Sequence, residues 1–146
     1  MKKIVTVLGA RPQFIKASMI SKLIKGTYKD KFKEVIIHTG QHFDPNMSEV
    51  FFDELDLPRP KINLGISGGS HSSMTAAMLI SIEQVMLEQK PDWILIYGDT
   101  NSTLAGALVA AKMGIPLAHV EAGLRSFNND MPEEIYRIIS DRDSQL

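Results

Sequence analysis

The stretch Pro116 to Arg125 reads Pro-Leu-Ala-His-Val-Glu-Ala-Gly-Leu-Arg, and it constrains the fold more than any other part of the chain. Pro116 opens it, where a missing N–H does little harm to a strand. Leu117 to Val120 continue as a short buried strand, interrupted by the polar His119. Glu121 then falls where a parallel strand ends, and in open α/β sheets that edge is where ligands bind. Trp93 to Tyr97, followed by Gly98-Asp99-Thr100, has the same form. Asp99 and Glu121 are 22 residues apart, about one helix plus one strand. Two carboxylates are therefore expected at one edge of neighbouring or nearby strands.

The rest of the chain fits that frame. Ile4 to Leu8 reads as a buried first strand, and Gly9-Ala10-Arg11-Pro12 as a turn. Pro12 suits the first position of a helix, and Gly26 ends that helix after Lys25. At 100° per residue Ile15, Met19, Leu23, Ile20 and Ile24 fill one half of the wheel, with Lys16 in its middle. A lysine is costly to bury unpaired. Lys16 therefore either bends out to solvent or, with Arg11, meets an anion beside the helix N-terminus. Glu34 to Thr39 is a second strand, and Gly40 to Asn46 a polar loop. Met47 to Leu55 follows as a helix capped by Asn46. Ile62 to Leu64 reads as a short strand, and Gly65 to Ser70 as a flexible glycine-rich loop that matches neither phosphate-binding fingerprint. Ser72 or Ser73 is expected to cap a long helix to Gln89, with Met74, Met78, Ile82, Val85 and Met86 inward. Asn101 or Ser102 is expected to cap a small-residue helix closed by Gly114. Pro132 starts a last helix, with Glu133 and Glu134 in its first turn and Ile135, Ile138 and Ile139 as its apolar face. Strands alternating with helices predict an α/β domain built on a doubly wound parallel sheet.

Composition excludes several classes. At 146 residues the length fits one domain. A net charge of −1 with interspersed signs gives no nucleic-acid surface and no polybasic membrane patch. With no cysteine there is neither a disulfide framework nor thiolate chemistry, which fits a cytoplasmic location. The apolar run after Lys2-Lys3 is too short for a signal peptide, and no segment is long enough to span a bilayer.

Asp99, Glu121, Glu133, Arg11 and Lys16 are the candidate chemical groups. Each also has a structural explanation: Asp99 as a turn or cap residue, Glu133 and Glu134 as partners of the helix dipole. Their convergence on one edge favours a functional site. The four histidines show no metal spacing, and no metal is expected. His38 and His71 read as structural, and His119 stands nearest the site. No G-x-S-x-G elbow supports a serine nucleophile.

At Gly9-Ala10-Arg11-Pro12 with Ile15-Lys16, Gly40-Gln41-His42, Gly98-Asp99-Thr100, His119 to Arg125 and Pro132-Glu133-Glu134, the chain resembles the non-hydrolysing UDP-N-acetylglucosamine 2-epimerases. The resemblance covers nearly the whole chain. It implies two Rossmann-like domains, as in B-type glycosyltransferases, with the active site between them. Residues 1–146 would be the N-terminal domain, a fragment lacking the C-terminal UDP-binding domain and inactive alone. The implied isomerase interconverts UDP-N-acetylglucosamine and UDP-N-acetylmannosamine by eliminating UDP to a glycal and re-adding it. Asp99, Glu121 and Glu133 are implied as the acid/base carboxylates. Arg11, Lys16, His119 and Arg125 are implied as substrate-binding residues. No cofactor is required, and a homodimer is implied at full length.

Some residues depart from the commonest pattern. Gln13 stands for the usual acidic residue, and Tyr136 for the usual asparagine. Arg-Pro-Gln-Phe-Ile-Lys-Ala and Leu-Arg-Ser-Phe-Asn resemble a subgroup that includes epimerases of UDP-2,3-diacetamido-glucuronate. Gln41 and His42 would touch a regulatory UDP-sugar in some members, but the residues after His42 differ, and such regulation is not expected. Two other readings compete: a glycosyltransferase-like or hydrolysing relative on the same fold, and a non-catalytic, truncated nucleotide-sugar-binding module.

Overall fold

The computed structural model describes residues 1–40, 49–54, 56–57 and 59–146. The polar loop from Gln41 to Asn46, its capping role, and the expected helix ends at Met47 and Leu55 lie outside the described residues. Five parallel strands are described: β1 (Lys2–Leu8), β2 (Phe32–His38), β3 (Ile62–Asn63), β4 (Trp93–Tyr97) and β5 (Leu117–Val120). The helices are α1 (Arg11–Lys25), α2 (Glu49–Glu54), α3 (His71–Gln89), α4 (Asn101–Met113) and α5 (Pro132–Asp143).

The sheet order is β3-β2-β1-β4-β5. Successive strands move outward from β1 on one side, then jump across it to β4. The β1–β4 crease is thus the topological switch point, where such sheets bind ligands. Side chains alternate along each strand and feed two cores. Val5, Val7, Val35, Ile37, Ile94 and Ile96 pack with Met78, Ile82, Ala107 and Val109 of α3 and α4. Leu8, Ile36, Leu95 and Tyr97 face the other way and pack with Phe14 and Ala17 of α1 and with Phe52.

The small residues of α4 let it lie close on the sheet. A Cβ added at Gly106 would stand 2.9 Å from Ile96 Cγ2 and 3.6 Å from Val7 Cβ.

Helix caps differ from expectation by one to three residues. Ser70 caps α3 and accepts from the Ser73 N–H. Thr100 caps α4 and accepts from Thr103. In both cases an earlier hydroxyl already satisfies the first-turn donors.

The larger correction is the rotation of α1. Its buried residues are Gln13, Phe14, Ala17, Ser21 and Ile24, whereas Ile15, Met19 and Leu23 are 47%, 73% and 50% exposed. Phe14 sets this rotation by packing edge-on against His38 and Phe52. Lys16 is therefore exposed rather than central to the buried face. On α5 the expected apolar face is also displaced. Ile135 is exposed, and the buried positions are Glu134 and Ser140.

The close approach of α4 gives a test. Gly106→Ala should destabilise the chain by about 1–2 kcal/mol, because overpacking against the β-branched Ile96 outweighs alanine's higher helix propensity. Urea unfolding followed by circular dichroism checks it; a stabilised variant would contradict the close packing.

Candidate active site

Three turns meet at the C-terminal edge of the sheet: residues 9–10 after β1, 98–100 after β4, and 121–131 after β5. The Gly98 N–H donates to Val120 O at 3.0 Å, which ties the second turn to the third. Glu121 is the first residue out of β5 and has φ +66. A non-glycine residue in the left-handed region stores strain of about 1–3 kcal/mol, a feature that clusters at functional sites. Its Oε2 pairs with Lys16 Nζ and lies 3.6 Å from where a Cβ on Gly98 would be. That is ordinary contact distance, so residue 98 is kept a glycine by its φ of +67 rather than by lack of space.

Asp99 is held from the opposite side. Arg137 Nε and Nη2 donate to its Oδ2 at 2.8 and 2.6 Å. Arg137 Nη1 also reaches Glu134 Oε2 at 3.3 Å. Glu134 is buried and accepts from the N–H and hydroxyl of Ser126 and the N–H of Phe127. The Ser126 N–H contributes most to holding this carboxyl below its ordinary range. Glu134 therefore organises the loop after β5 rather than only facing the helix dipole.

Glu133 is exposed at the start of α5. With His71, Asp99, Thr100, Asn101, Pro132 and Tyr136 it lines a recess of about 240 Å³. Asp99 and Glu121 thus leave from neighbouring turns of one edge, and Glu133, in the first turn of α5, shares a recess with Asp99. Arg11 opens α1 at that edge and is exposed.

His119 and Arg125 are placed differently from the substrate contacts implied for them. The His119 side chain is 1% exposed, and its Nδ1 stands 2.8 Å from Asp141 Oδ1 without an aligned hydrogen bond. Its Nε2 lies 2.7 Å from Gly98 O. Arg125 Nη1 donates to Asp141 Oδ2 at 2.6 Å and to Leu124 O at 2.7 Å. Burial of Asp141 opposes its ionisation. The Arg125 hydrogen bond, the Gly123 N–H and the neighbouring charges outweigh burial and hold its carboxyl below the usual range. This cluster links β5, its loop and α5.

Sequence reasoning missed Arg137 and Asp141; it named Gln13 only as a departure from the usual acidic residue and Glu134 only as a partner of the helix dipole. Glu134, Arg137 and Asp141 follow i, i+3, i+7 spacing, which places three charges on one helix face. That stripe was the available signal. Among the described residues no cluster of three or more potential ligands could hold a metal ion, and no helix is long and apolar enough to cross a membrane.

The Asp141 cluster predicts a pH effect. Its folded carboxyl is depressed, so its contribution is complete above the unfolded value of about 3.9 and is lost as pH falls through the lower folded value. Asp141→Asn should cost on the order of 3 kcal/mol at neutral pH. The difference from wild type in urea unfolding should shrink below about pH 4. A gap that stays constant to pH 2.5 would exclude the ion pair as its source.

The chain as a whole has relatives among known proteins. The UDP-N-acetylglucosamine 2-epimerase family model matches residues 25–146. The Pseudomonas aeruginosa UDP-2,3-diacetamido-2,3-dideoxy-D-glucuronate 2-epimerase is 58% identical, covering 99% of this chain and 40% of that protein. The crystal structure of Methanocaldococcus jannaschii UDP-GlcNAc 2-epimerase in complex with UDP-GlcNAc and UDP superposes with TM-score 0.87 at 51% identity, over 97% of this chain and 38% of that one. The calicheamicin glycosyltransferase CalG4 shares the fold alone, with TM-score 0.53 and 11% identity over 100% of this chain and 38% of its own. The chain thus spans about two fifths of the length of the relatives it matches. By its family match, its relatives and its fold, the chain belongs to the UDP-N-acetylglucosamine 2-epimerase family.

Proposed function

We propose that the whole protein inverts C2 of a UDP-linked 2-acetamido sugar, as an isomerase that needs no redox cofactor. The observation that carries this reading is the pair of strand-exit carboxylates, Asp99 and Glu121, each held by a cation from a different helix at the switch edge. A base removes the C2 proton, the C1–O bond to UDP breaks, and a 2-acetamidoglycal forms. UDP then re-adds at C1 while an acid returns a proton to the other face of C2. Asp99, Glu121 and Glu133 supply the acid and base groups in this reading. Arg11 and Lys16 stabilise the departing diphosphate beside the N-terminus of α1. His119 and Arg125 brace the Gly98 and Gly123 turns from within rather than touch the sugar.

UDP-N-acetylglucosamine is the substrate in the first reading. This is supported by the ligand in the M. jannaschii structure. A second reading, a modified sugar such as UDP-2,3-diacetamido-glucuronate, is favoured by the 58% identical P. aeruginosa relative. Residues 1–146 form the N-terminal Rossmann-like domain in this proposal. They supply one wall of a cleft whose other wall is a C-terminal UDP-binding domain, in a cytoplasmic homodimer.

In the whole protein, Glu121→Gln keeps the shape but removes the titrating group. Turnover should fall at least ~100-fold. In heavy water the wild type should place deuterium at C2 of recovered UDP-sugar. Near-normal turnover of the variant would remove Glu121 from catalysis, and full retention of the original hydrogen would sink the elimination mechanism.

A further inference from the structure

A polar residue occupies the core side of α1 while three large apolar residues of the same helix stay exposed. Gln13 is 5% exposed. Burying an amide is unfavourable unless its hydrogen bonds are met, and here both ends are met by different parts of the site. Oε1 accepts from the N–H groups of Gly9 at 2.7 Å and Ala10 at 3.1 Å. Nε2 donates to Tyr97 O at 2.8 Å and lies 3.0 Å from Thr100 Oγ1 and 3.3 Å from Thr103 Oγ1.

The orientation of this amide is fixed by its surroundings. Exchanging the oxygen and nitrogen would set an NH₂ against two N–H donors and an oxygen against a carbonyl. One end holds the turn that leads directly into Arg11. The other holds Tyr97 and Thr100, on both sides of Gly98 and Asp99. The link joins positions 84 residues apart in sequence. It lies in a buried setting, where hydrogen bonds are electrostatically stronger than in water.

We propose that Gln13 is a positioning residue that sets the spacing between the Arg11 turn and the Asp99 turn through the two ends of its amide. The proposal rests on the reading of this edge as the reaction site, where small misplacements are costly. Its physical content can nevertheless be tested without substrate. A carboxylate could still accept from Gly9 and Ala10 but could not donate to Tyr97. A protonated carboxyl could do both.

Gln13→Glu therefore separates the two ends, whereas Gln13→Ala would orphan buried N–H groups and risk unfolding. Amide hydrogen exchange of the 146-residue chain is measured by NMR between pH 4 and pH 8 for wild type and Gln13→Glu. Lys16, Asp99, Glu121 and Arg137 are common to both chains, so their charges cancel in the comparison. Relative to wild type at the same pH, exchange at Gly98 and Thr100 should rise at least about tenfold as the new carboxyl ionises. Gly9 and Ala10 should stay within about twofold of wild type. Loosening of both turns together, a change in neither, or a variant unfolded at every pH would overturn the positioning role. Any of these results would leave the proposed reaction standing, and loss of that reaction would leave this coupling standing.

Discussion

β1 is hydrogen-bonded on both sides, to β2 along its whole length and to β4 over Ile4 to Val7. The arrangement of the site depends on that double pairing. A central parallel strand must pass its chain to one neighbour through a crossover and receive the other neighbour from a later crossover. The helices are thereby placed on opposite faces, and the turns after β1 and β4 diverge at one crease. Gly9 shows how tight the crease is, since an added Cβ would stand 2.1 Å from Ser102 Oγ. The buried amide of Gln13 closes the gap between the two turns at this point.

The candidate carboxylates are each oriented from a different element. Lys16 of α1 reaches Glu121, and Arg137 of α5 grips Asp99. Exposed or half-exposed pairs of this kind contribute little to stability. Their effect here is to aim the carboxylates. Beneath them, His119, Asp141 and Arg125 form a more buried cluster that fixes the loop after β5 to α5. The edge thus has an outer layer of paired charges available to a ligand and an inner layer that braces the backbone. The elimination proposed for the whole protein would use both, because base, acid and cations must keep their relative positions as charge moves from C2 to the leaving group.

Glu121 and Gly98, in adjoining turns of the edge, both take up the left-handed backbone region. The relatives are about two and a half times longer than this chain, as 99% of the chain matches 40% of the P. aeruginosa protein. The contacts of the edge described here come from residues 1–146 alone.

The sequence by itself determined the alternation of strands and helices, the parallel sheet, and the exit of Asp99 and Glu121 from two strands. These features depend on local pattern: apolar runs of strand length, glycine after β4, and proline before β5. The methionine face of α3 was legible for the same reason. The tertiary structure decided which face of α1 is buried. The apolar stripe of Ile15, Met19 and Leu23 lost to Phe14, whose partners His38 and Phe52 are remote in sequence, and to Gln13, whose partners lie at Tyr97 and Thr100. It also turned His119 inward and joined Arg137 to Asp99. Such pairings are set by the distance between elements in space, and residue spacing within one element carries no information about that distance.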